Sequence, residues 1–140
     1  MASVQTYSEI KSGLQGQFGG AYRVLDFDDI EPALEQGTAP FIAIEEVVQN
    51  EDGNGFGDPN QICQREEGVI VIHFFVPAPE SSGTARGLAE SVQDFMRYRT
   101  FTQVTVFSVS PPDVEMMNNG LWTAAAIALT YHRDFHVAIP

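Results

Sequence analysis

The sequence predicts an α+β fold: one domain over residues 1–140, a mainly antiparallel sheet of about five strands, and two helices packed on one face, in the order α-β-β-β-α-β-β. Three observations predict it. Apolar residues recur at three- and four-residue steps in two separate windows, one near the start and one after Pro79. Between and after these windows lie short runs of β-branched and aromatic residues, closed by Pro, Gly and Asn. The chain has 140 residues, enough for one core and too few for two ordinary ones, and no fixed period repeats along it.

Tyr7, Ile10, Leu14 and Phe18 form one apolar stripe on a first helix over residues 7–17, with Thr6 or Ser8 as cap and Gly19-Gly20 as stop. Residues 22–27 read as a short strand closed by acids. Residues 28–40 hold two Pro, one Gly and four acids, and read as a loop with one helical turn over 31–34. The run 41–48 is a second strand, which can start straight after Pro40. Residues 50–61 contain three Gly, one Pro, three Asn and three acids, the composition of a long exposed hairpin connection. A third strand over 67–76 closes at Pro77 and Pro79.

Ser82 or Thr84 opens the clearest helix, 84–98, with Ala85, Leu88, Ala89, Val92, Phe95 and Met96 on its apolar face. Arg86, Glu90 and Asp94 follow at i, i+4 steps on its polar face. A fourth strand over 104–109 ends at Ser110-Pro111-Pro112, and residues 113–120 read as a loop. Residues 121–134 read as a long fifth strand. The run Ala124-Ala125-Ala126 favours helix, but Leu121, Ile127, Leu129 and Tyr131 all fall on odd positions, between β-branched and aromatic flanks.

The third strand is apolar on both faces: Val69, Val71 and Phe75 with His73 on one, and Ile70, Ile72, Phe74 and Val76 on the other. An antiparallel sheet with one wet face alternates apolar with polar. Two helices cover one face, so the other needs a long loop or another subunit.

Charge narrows the function. Seven Lys+Arg stand against 19 Asp+Glu, a formal charge of −12, and the isoelectric point is near 4.3. This excludes a basic nucleic-acid-binding module and a polybasic membrane-surface protein. Twelve of the 19 acids fall between Asp26 and Glu67, with only Arg65 in opposition. The one cysteine, Cys63, cannot form an intrachain disulfide. The first residues lack the basic and apolar regions of a signal peptide. No apolar run reaches the roughly 20 residues of a membrane helix. The expectation is a soluble protein made in a cytosol.

No constellation in the sequence spells out catalysis, and no metal or cofactor is expected. Asp52, Asn54 and Asp58 are spaced as in a calcium loop, but the fifth position is Phe56 and the twelfth is Cys63, where a bidentate Glu is needed. His132 and His136 share a face of a strand yet stand roughly 13 Å apart at about 3.3 Å per residue. His73, inside an apolar strand, reads as a satisfied core or interface histidine. Glu45 and Glu46 point to opposite faces and make a poor acid/base pair. No G-x-S-x-G elbow occurs.

One resemblance covers roughly residues 6–135. An amphipathic first helix leads through an acidic, Pro-containing stretch to Pro40-Phe41-Ile42-Ala43-Ile44. A polar hairpin then leads to the run from Gly68 to Pro77, an Arg-bearing helix from Thr84 to Glu90, and Gly120-Leu121-Trp122. This order resembles the tail terminator, or tail completion, proteins of long-tailed bacteriophages.

The resemblance implies a structural, non-enzymatic role. Such a protein forms a homo-hexameric ring that caps the tail tube, stops its polymerisation and presents a surface to the head-tail connector or stopper protein. It implies a place in the tail or neck of the virion, assembled in the host cytoplasm, with DNA passing through unheld and no membrane partner. Acids lining the hole would repel phosphates; the candidates are Asp28, Asp29 and Glu31 in one loop and Glu51, Asp52 and Asp58 in the other. Arg97, Tyr98, Arg99 and Trp122 are candidates for contact with a neighbouring subunit or partner. The alternatives are another neck protein, a connector or stopper, and a small-ligand-binding or enzymatic α+β domain with a pocket under the second helix.

Overall fold

The computed structural model of the chain describes residues 4–36, 39–53, 61–77, 82–117 and 122–138. Helix α1 spans Val4–Phe18, strand β1 Arg23–Asp26, and a 3-10 turn Phe27–Asp29 leads into α2, Ile30–Gln36. Strands β2 (Phe41–Gly53) and β3 (Gln61–Pro77) follow, then α3 (Ser82–Met96), β4 (Val104–Val109), β5 (Asp113–Met117) and β6 (Trp122–Ala138). The six strands form one sheet in the order β1-β2-β3-β6-β4, with β5 also on β6. Among the described strands only the β1–β2 pair is parallel; the other pairs are antiparallel. The α+β class and the mainly antiparallel sheet therefore match the sequence reading.

Three expected loops are partly strand or helix. The hairpin connection expected over 50–61 is strand as far as Gly53 and again from Gln61. The helical turn expected over 31–34 is a seven-residue helix, α2. The expected loop over 113–120 contains β5, which pairs along Ala126 to Trp122 of β6. The pairing partner, not local composition, decides this segment. β4 and β5 lie end to end on the same edge of β6, parted by Ser110-Pro111-Pro112. Proline has no N–H for a ladder. Ser110 spans the gap instead: its N–H donates to Ala128 O at 2.9 Å, and its hydroxyl accepts from Ala128 N–H at 2.8 Å.

The sheet is buried on one face and in part on the other, which accounts for its doubly apolar strands. On one face α1 and α3 cover Ile42, Ile44, Ile70, Ile72, Phe74 and Leu129, with Ile10, Leu14, Leu88 and Val92 as the helical contribution. On the other, Ile30 and Ala33 of α2 pack with Phe41, Ala43, Phe75, Trp122 and Ala124. The acidic, Pro-containing segment therefore supplies part of the cover that two helices could not. Val69, Val71, Ala126, Ala128 and Thr130, farther along that face, are only half-buried.

Candidate functional site

The residues singled out by sequence, Trp122 and the undescribed Asp58 apart, fall in three places. The first is a cleft of about 540 Å³ between α1, the 3-10 turn and β2, walled by Tyr7, Phe27 and Ile44 and carrying Asp26, Asp28, Asp29, Glu45 and Glu46. Parallel pairing creates it: Asp26 lies opposite Ile44, so the end of β1 and the turn after it come alongside Glu45 and Glu46. Asp26 accepts hydrogen bonds from the Tyr7 hydroxyl and from Lys11 Nζ, the latter at 3.1 Å. The Tyr7 bond, helped by Lys11, holds the Asp26 carboxyl below its ordinary range. Burial and the Asp26 carboxylate hold the Tyr7 hydroxyl well above its own. Glu45 meets His73 Nε2 at 2.9 Å, and the Phe27 ring lies 4.4 Å from the imidazole. Asp28 and Asp29 are exposed at the mouth, and Glu31 is exposed one turn on, in α2.

The second place is the far part of the β2–β3 hairpin. Pairing runs on to Gly53 opposite Gln64, with Glu51 opposite Glu66 and Asp52 opposite Arg65. Asp58 lies outside the described residues.

The third is the end of α3. Tyr98 has a φ of 58° and is 75% exposed. Arg99 Nε donates to Phe95 O at 2.7 Å, and its guanidinium sits 4.0 Å over the Phe95 ring. Arg97 is 3.8 Å from Asp94. These contacts satisfy a helix C-terminus with cations while presenting Tyr98 outward. Trp122 does not join them. It is 2% exposed, edge-on to Phe41, and its indole N–H donates to Leu34 O at 2.9 Å. Its packing is inside the chain's own second core.

The sequence reading missed a buried cluster. Glu66, one of the twelve acids from Asp26 to Glu67, is fully buried and accepts from the Thr6 hydroxyl at 2.6 Å, the Tyr131 hydroxyl at 2.8 Å and the Arg133 guanidinium at 3.3 Å. Its even position, in phase with Ile70 and Ile72, was the signal for an inward side chain. Burial, then Glu66, holds the Tyr131 hydroxyl well above its ordinary range. Among the described residues no group of three His, Cys, Asp or Glu is placed to hold a metal ion. No described helix is long and apolar enough to cross a membrane.

No family model matches the chain, and no curated protein matches it in sequence. Solved structures do. A chain known only by a sequence identifier shares the fold, with a TM-score of 0.53 and 13% identity over 93% of this chain and 91% of its own length. A chain in the virion of a native gene transfer agent (GTA) particle aligns at a TM-score of 0.47 and 15% identity, over 96% of each chain.

Proposed function

We propose that the protein is a phage tail terminator: a non-catalytic virion component whose six copies form a ring on the tail tube. The observation that carries this reading is the order of elements. An amphipathic helix, a strand after Pro40, a strand ending at Pro77, an Arg-bearing helix and a strand opening at Trp122 follow one another along the fold as they do in the resemblance drawn from sequence. The ring would stop tube growth and offer its other surface to the head-tail connector or stopper protein. The β2–β3 hairpin, with Glu51 and Asp52 and, in sequence, Asp58, is proposed to face the hole, where acids keep DNA phosphates from sticking. The acids of the other segment, Asp28, Asp29 and Glu31, stand at or beside a concave surface, a shape that receives a partner.

The test is genetic and visual. Deleting the gene is expected to give overlong tails, and the purified protein is expected to form six-fold rings in negative stain. Normal-length tails detached from heads would overturn the terminator assignment and point to a connector or stopper.

A further inference from the structure

We propose that the Arg97-Tyr98-Arg99 knob of one copy seats in the Tyr7–Phe27 cleft of the next copy, making the contact between subunits head-to-tail. The inference rests on the ring reading and names the surfaces that build it. The first ground is the knob. At φ 58° Tyr98 sits in the left-handed region that L side chains disfavour, and it covers little within the chain, being 75% exposed. An aromatic side chain is thus held outward, at a cost, between two arginines in a chain with only seven basic residues. Arg99 is already immobilised over Phe95, so its remaining N–H groups lose little freedom on binding.

The second ground is complementarity. The cleft offers what the knob lacks: aromatic walls at Tyr7 and Phe27, and exposed carboxylates at Asp28 and Asp29. A net charge of −12 on every copy opposes association, and a contact that matches opposite signs offsets that repulsion where the copies meet. The third ground is separation. Phe18 of α1 packs edge-on against Phe95, beside the knob, whereas Tyr7 lines the cleft; these two residues stand about three turns of helix apart, roughly 16 Å. Two different patches meeting across copies make a heterologous interface, which propagates around a ring.

Sedimentation velocity on the full chain tests this. The variants are R97A/R99A, which blunts the knob, and D28N/D29N, which neutralises the cleft mouth. Each alone is expected to self-associate at least about tenfold more weakly than the wild type. Mixed one to one, they retain one good knob and one good cleft between them. The mixture is expected to stop at a dimer, twice 15.4 kDa. Recovery on mixing also shows that both variants are folded. Wild-type rings with neither variant impaired would overturn the knob-and-cleft contact and leave the ring reading standing. A wild type that stays at 15.4 kDa across concentration and salt would overturn both.

Discussion

Glu66 sits between Arg65 and Glu67, both of which reach solvent, yet its own carboxylate is sealed under α1 with three donors around it. Removing one partner of a buried ion pair leaves the other uncompensated, here Arg133. Glu66→Ala is expected to cost about 3–5 kcal/mol, and Glu66→Gln, which keeps shape without charge, about 1–3 kcal/mol. Urea unfolding measures both. The sequence hides this residue because the third strand reads as starting at residue 67, one position too late to give Glu66 a face. The pairs at Asp26 and Asp134 bear on acid stability. Tyr7 and then Lys11 lower the Asp26 carboxyl, and Arg65 lowers that of Asp134, from a usual value of about 3.9. A lowered carboxyl adds stability above that value and loses it as pH falls through the folded-state value. Both side chains are over two-fifths exposed, so water screens much of the gain. The double variant D26N/D134N is expected to show a shallower loss of stability below about pH 4, read from denaturation midpoints at successive pH values.

At the scale of elements, local turn chemistry was legible and long-range pairing was not. Gly19-Gly20 ends α1 as read, with Gly19 N–H bonded to Gln15 O at 2.9 Å. A Cβ on Gly19 would lie 2.4 Å from that same carbonyl oxygen, which is backbone and cannot swing aside. Gly19→Ala is expected to lose about 1–3 kcal/mol of stability in the same urea titration. β5 was illegible because Pro111-Pro112 reads as the end of a strand, whereas the edge resumes beyond the prolines once β6 offers partners. Ser110 holds that junction. Ser110→Ala would leave the Ala128 N–H without its acceptor, at a cost of about 1 kcal/mol. Faster amide hydrogen exchange at Ala128 is the local readout, with distant strands unchanged.

At the scale of the molecule, the doubly apolar strands announced a sheet buried on both sides, but not what would cover the second face. Part of the answer lay in Ile30 and Ala33, spaced as on a helix within a stretch dominated by acids and prolines. The candidate surfaces were legible only as sequence clusters. The cleft needed the parallel β1–β2 pair to bring Asp26 to Glu45, and no local pattern encodes that pairing. Phe41 and Ile42 are neighbours on β2 that enter opposite cores, so the two cores share one backbone. They should melt together. Trp122, the only tryptophan, reports on the second core. Its fluorescence and far-ultraviolet circular dichroism are expected to give superimposable unfolding curves. Phe41→Ala, about 3–5 kcal/mol destabilising, should shift both curves equally.

The placement of β6 has a consequence in time. It lies between β3 on one side and β4 with β5 on the other, and it is synthesised after all three. Until it leaves the ribosome, β3 keeps an open edge, and β4 and β5 have no sheet to join. Such unpaired edges are where nascent chains aggregate. A nascent chain halted before Trp122 therefore holds two pieces of a sheet without the strand that joins them, and the sheet closes only once β6 has been made.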